Sequence, residues 1–164
     1  MAKIVYPLQQ VLQVKERRVE EAERVVVEKI AALRKEEEIL AKKEEEREAV
    51  RKHMQDKLDQ MRNEMDQGTT SPKIQQMKAY LKVVQEKLKV EDKKVADQKE
   101  QVKIAEKNLE IAKEDLRRKR QEVDKLVTHR KDWMLEMKKE EEIIEGREQD
   151  ELGSVTFLMH QKNT

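Results

Sequence analysis

The sequence holds no cysteine, two prolines and three glycines among 164 residues, and its aromatic side chains are Tyr6, Tyr80, Trp133 and Phe157. Without cysteine there are no disulfides, thiolate metal ligands or thiol nucleophiles, which suits a reducing compartment. A compact domain of this length buries large aromatic and branched side chains in one core. With a hydrophobic share of 36%, this chain cannot fill such a core. Its longest unbroken apolar run, Ile30 to Leu33, falls far short of a membrane span. The opening MAKIVYPLQQ carries no apolar signal region, so no cleaved secretory leader is expected. Neither charge sign dominates: 37 basic and 36 acidic residues leave a net charge of +1, giving no general attraction to nucleic acid or anionic lipid. These absences predict a soluble, cytoplasmic protein that neither binds nucleic acid nor inserts into a membrane.

What is present is charge, 45% of the chain, in a composition of Glu, Lys, Leu, Ala and Arg typical of long helices. Glycine and proline mark the organisation, because neither occurs between Leu8 and Asp66 or between Lys73 and Glu145. In the segment QGTTSP at 67–72, Gly68 suits the left-handed residue that ends a helix. Ser71 suits an N-cap, with Pro72 at the first helical position, where its missing N–H costs nothing. So short a connection favours an antiparallel hairpin. The expected fold is all-α: a lead at 1–7, a first coiled-coil helix at 8–66, a turn at 67–72, a second helix at 73–150 and a flexible tail at 151–164.

A period of seven identifies the packing seam. In the second helix, Ile74, Leu81, Leu88, Val95, Val102, Leu109, Leu116, Val123, Arg130, Met137 and Ile144 are apolar except Arg130. The series three residues on holds Met77, Val84, Ala105, Ala112, Leu126 and Trp133, interrupted by Glu91, Gln98, Lys119 and Glu140. In the first helix, Val5, Leu12, Val19, Val26, Leu33, Leu40, Arg47, Met54 and Met61 are apolar except Arg47, while the companion series offers only Leu8, Ala22 and Val50. A repeat sustained this long implies a left-handed supercoil. At 1.5 Å per residue the helices would run roughly 90 and 110 Å. Folding at the turn sets residues whose numbers add to about 140 face to face. Trp133, Met134 and Met137 then meet Ile4, Tyr6 and Leu8, and the second helix overhangs beyond about Glu136.

No catalytic or metal constellation emerges, so neither enzymatic activity nor a cofactor is expected. His53, His129 and His160 lie far apart, and none has a second His or Cys at ligand spacing. His129 reads as a solvated face and His53 as a boundary position. Acidic runs such as Glu140-Glu141-Glu142 point about 100° apart per residue and cannot converge on an ion. The basic run Arg117 to Arg120 lacks the interleaved aromatics of a nucleic-acid reader. Despite the neutral total, residues 73–131 are basic and residues 132–151 acidic. Met54, Leu58, Met61, Met65, Met77 and Tyr80 crowd the turn end, where they either pack together or, in the case of edge-placed Tyr80, dock a partner. Tyr6 and Trp133 at the open end have the same two readings.

Several segments carry a resemblance: YPLQQVL at 6–12, GTTSPKIQQMKAYLKVV at 68–84, HRKDWM at 129–134 and EQDELG at 148–153. Over about residues 4–152 the chain resembles the YscO and FliJ group of type III secretion and flagellar export stalk proteins, most closely its chlamydial members. The resemblance implies a two-helix stalk similar to the γ subunit of rotary ATPases. The end bearing both termini would enter the pore of the hexameric secretion ATPase, engaging it through Tyr6, Leu8, Leu12, Trp133, Met134 and Met137. The turn region would face the export gate. Carried across residue by residue, the flagellar gate-binding positions land on Val50, His53, Lys57, Tyr80 and Val84. Lys57 replaces an aromatic there, and Glu46, Lys87 and Glu91 stand where the flagellar pattern has Gln, Ala and His. Secretion chaperones are further partners that the resemblance implies. An escort or scaffold protein, and a self-associating spacer coil, remain the alternatives.

Overall fold

The computed structural model describes residues 4–163, so positions 1–3 of the expected lead and 164 of the expected tail lie outside the described residues. Two helices, α1 (Gln9–Gln67) and α2 (Ser71–Lys162), form an antiparallel hairpin, with no strand among the described residues. The Gln9 N–H reaches the Tyr6 carbonyl at 3.1 Å, and the Leu12 N–H bonds the Leu8 carbonyl at 2.9 Å. Leu8 is therefore the cap and helix proper starts one residue later than the pattern predicts.

Gly68 takes φ +86°, the left-handed conformation that a Cβ disfavours, and its N–H donates to the Met65 carbonyl at 3.3 Å. The first bond of α2 runs from the Ile74 N–H to the Thr70 carbonyl at 3.2 Å. A cap is the residue whose carbonyl accepts the first helical bond, so the cap is Thr70 rather than Ser71. Pro72 moves to the second helical position, where its N–H would still be without an intrahelical acceptor.

At its far end α2 continues to Lys162, beyond the expected boundary at 150. Gly153 is the weakest helix former between Leu152 and Met159, and a single glycine costs about 1 kcal/mol, too little to end a helix without a following proline. The Thr156 hydroxyl donates to the Leu152 carbonyl at 2.8 Å within this stretch.

The chain divides into two units, Arg24–Glu114 and the segments on either side of it. In the first, Leu81, Val84, Val95, Val102, Leu109 and Ala112 of α2 are buried, with Leu33, Leu40, Met54 and Met61 of α1 half-buried against them. Two of the expected polar interruptions, Glu91 and Gln98, are buried in this seam. The Gln98 amide donates to the carbonyl and the carboxylate of Glu36, while Arg47 lies 3.9 Å from Asp92. In the second unit Leu12, Ala22 and Leu116 are buried and Val123, Leu126, Trp133 and Met137 half-buried. Lys15 pairs with Glu122 at 2.9 Å and Arg120 with Glu23 at 3.0 Å. Val5 departs from its predicted seam position: it precedes the first helical turn, so the seven-residue period does not govern it, and it is exposed while Tyr6 turns inward. Ile144 is exposed too, because no residue of α1 extends far enough to cover it.

Candidate functional site

Residues 50, 53 and 57 of α1 fall on one helical face, and residues 80 and 84 of α2 lie one turn apart. The hairpin brings the two sets together. The His53 Nε2 and the Tyr80 hydroxyl are 2.7 Å apart, and the rings meet edge to face with centroids 5.9 Å apart. Lys57 places its Nζ 5.8 Å from the Tyr80 ring centroid, within the range of a cation–π contact. Tyr80 nonetheless stays 45% exposed. Such an aromatic, fixed at its hydroxyl and one face, loses little freedom on meeting a partner.

Two shallow grooves flank it. One, of about 390 Å³, lies among Val50, His53, Val83, Val84 and Lys87; the other, of about 360 Å³, lies among Lys57, Gln60, Glu64, Lys73, Met77 and Leu81. The five aligned positions thus form one surface with distinct parts. Tyr80, His53 and Lys57 present polar and aromatic groups, half-buried Val50 forms a wall, and Val84, buried, forms the floor. Lys87 is exposed in the groove, whereas Glu91 is buried in the helix seam and Glu46 lies on the surface. The neighbouring Met54, Met61 and Met77 are half-buried packing residues, and Met65 is exposed.

The second candidate surface separates differently. Tyr6 is 3% exposed and Leu12 0%, so both are internal supports. Tyr6 meets Trp133 edge-on at 5.6 Å between centroids and hydrogen-bonds through its hydroxyl to the His129 Nδ1. Arg130 donates to the Gln9 side-chain carbonyl at 3.3 Å beside them. Ile4, Leu8 and Met134 are exposed; Trp133 and Met137 are half-buried. Surface contact at this end is therefore available to Leu8 and Met134, with parts of Trp133 and Met137.

His129 is exposed, as expected of a solvated face, but the sequence reading missed its bond to Tyr6. The pairing rule that set Tyr6 against Trp133 also places His129, one turn earlier, beside the same ring. It also gave Arg47, Glu91 and Gln98 no role beyond interrupting the seam. Among the described residues no group of three or more His, Cys, Asp or Glu side chains is arranged to hold a metal ion, and no helix is long and apolar enough to cross a membrane. The Lys15 ammonium, by hydrogen bond and then by charge, holds the Glu122 carboxyl below its ordinary value.

A family model described as YscO-like protein matches residues 3–163. The structure of a candidate YscO homolog, CT670 from Chlamydia trachomatis, is 43% identical and superposes with a TM-score of 0.95, covering 99% of this chain and 100% of that one. No curated protein sequence matches.

Proposed function

The chain belongs to the YscO-like family, and on that premise we propose that it is the non-enzymatic central stalk of a type III secretion system. It works on the cytoplasmic side, at the base of the apparatus. The end carrying Leu8, Trp133, Met134 and Met137 inserts into the hexameric secretion ATPase, and the surface around Tyr80 meets the export gate. The observation that carries this reading is the convergence of Val50, His53, Lys57, Tyr80 and Val84. These positions, which align with the flagellar gate contacts, come from two helices and lie together around a half-exposed tyrosine. Buried aromatic anchors ringed by polar groups are typical centres of binding energy.

The hairpin contributes position rather than chemistry. A partner at Tyr80 gains a ring already fixed by His53, and a cationic rim from Lys57 and Lys87 favours an acidic counterpart. Densely charged outer faces limit adhesion to the wall of a pore.

Two exposed-residue variants separate the two contacts. Tyr80→Ala removes the gate contact and leaves ATPase binding intact; Met134→Glu does the reverse. Neither side chain is buried, so far-ultraviolet circular dichroism stays as in the wild type. If each variant leaves both associations unchanged, the reading fails. Retained binding to secretion chaperones alone, through the basic stretch 73–131, would favour the escort role instead.

A further inference from the structure

The outer face of α2 carries a second seven-residue series that the hairpin does not cover. Val83, Val90, Asp97, Ile104 and Ile111 are all exposed, with Val83 at 66% and Ile111 at 62%. All five lie within the unit Arg24–Glu114. The buried seam of the same helix runs through Leu81, Val84, Val95, Val102 and Leu109, so the exposed series lies on a different face, turned away from it. Four β-branched side chains at seven-residue spacing, two on each side of Asp97, extend over 28 residues, about 42 Å of helix, and form a seam that lacks a partner. Scattered surface valines need no explanation, but a periodic stripe does.

The charges beside the stripe identify the partner. Three residues after the first four stripe positions come Glu86, Lys93, Glu100 and Lys107, alternating in sign and all exposed; Glu114, half-buried, follows the fifth. We infer that this face pairs with a second copy of the chain, the two α2 helices running antiparallel about a two-fold axis at Asp97. Residue numbers in the two copies then add to about 194 across the apolar layers. Val83 stacks on Ile111 of the second copy and Val90 on Ile104. The flanking series becomes complementary to itself, with Glu86 against Lys107 of the second copy and Lys93 against Glu100. Symmetry repeats each contact. The two Asp97 carboxylates at the axis lie beside Lys93 and Lys94 of both chains.

A parallel pair would direct the charged series towards positions 91, 98 and 105 of the second copy. Glu91 and Gln98 are buried in their own hairpin, so no charge pairing results. A uniformly acidic or uniformly basic helix would meet a like charge at every other flank. The alternation fits a copy of this helix, reversed. This pairing does not depend on the export reading. Because Val83 also borders the groove beside Tyr80, a second copy and a partner docked there exclude one another at that layer.

Sedimentation of the full chain over a concentration series tests the inference. The weight-average mass should rise from 19.6 kDa towards twice that value with increasing concentration. Ile104→Asp should raise the dissociation constant at least about tenfold, since it sets a charge in an apolar layer. Glu86→Lys should weaken the dimer, and adding Lys107→Glu to it should restore the dimer. The chain has no cysteine, so Asp97→Cys introduces a single thiol and should yield a disulfide-linked dimer under mild oxidation. A mixture of Val83→Cys and Ile111→Cys chains should cross-link chiefly to each other. A monomer at every concentration with no Asp97→Cys dimer overturns the inference and leaves the stripe to a helix of another protein. A dimer insensitive to the Glu86 and Lys107 exchange, or Val83→Cys chains joining chiefly to themselves, overturns the antiparallel arrangement.

Discussion

Glu91 is the sharpest energetic test of the seam. It is 7% exposed, its Oε1 lies 3.4 Å from the Lys94 ammonium, and its Oε2 is buried without a hydrogen-bond partner. A buried acceptor left unmade costs about 1–3 kcal/mol. The Lys94 contact spans one helical turn and is half in solvent, so it returns only about 0.2–0.5 kcal/mol. Burying a leucine side chain at such a site contributes about 1.5–3 kcal/mol, discounted here for the space a branched side chain needs. Glu91→Leu should therefore stabilise the hairpin by about 1–3 kcal/mol. At about 2–4 °C per kcal/mol for a chain of this size, the midpoint should rise by roughly 2–12 °C. Thermal and urea melts followed by far-ultraviolet circular dichroism would read it. Gln98→Ala should act in the opposite direction by about 1–2 kcal/mol, because the Gln98 amide satisfies Glu36 and its side-chain oxygen accepts from Lys43 at 3.4 Å. If Glu91→Leu is neutral or destabilising, the seam tolerates that carboxylate better than its geometry implies, and the reasoning is wrong.

Gly68→Ala should cost about 1 kcal/mol in the same melts, since a Cβ there meets open space and the penalty is the positive φ alone. Gly153→Ala, also facing open space but helical, should raise helix content and local protection by about 0.5–1 kcal/mol in amide exchange. Tyr6→Phe should cost about 0.5–1.5 kcal/mol through the lost His129 hydrogen bond, whereas Tyr6→Ala should cost about 3–5 kcal/mol by also emptying the site beside Trp133. The Glu122 carboxyl is depressed in the folded chain, so its pairing with Lys15 stabilises at pH above its ordinary 4.5 and is lost as the pH falls through the lower folded value. The stability difference between wild type and Glu122→Gln should accordingly vanish in that acid range.

The fold was legible because its signals are local and repetitive. Val95, Val102 and Leu109 sit where the seven-residue count put them, and Gly68 supplies the one positive φ at the predicted turn. What was not legible depended on a short reach across the seam. Tyr6 hydrogen-bonds to a histidine that, taken alone, is an ordinary polar residue on a helix surface, and Val5 obeys a period that has not yet begun. The extent of α2 was underestimated because the residues after Gly153 show no periodicity, yet nothing in their sequence stops the helix. The surface around Tyr80 was locatable only through the family resemblance. Periodicity put Tyr80 at the edge of the seam, but no sequence rule set His53 against its hydroxyl. Leu12, taken with Leu8 as a contact residue, is wholly enclosed, because a pattern identifies an apolar stripe without saying which members a second helix covers.

The central claim is that this chain engages a secretion ATPase through its open end. It is tested most directly by titrating the protein into the cognate ATPase while reading ATP hydrolysis and oligomer size together. The account predicts stimulation that saturates near one stalk per hexamer and is abolished by Met134→Glu. Absence of binding, or binding indifferent to that substitution, would contradict it.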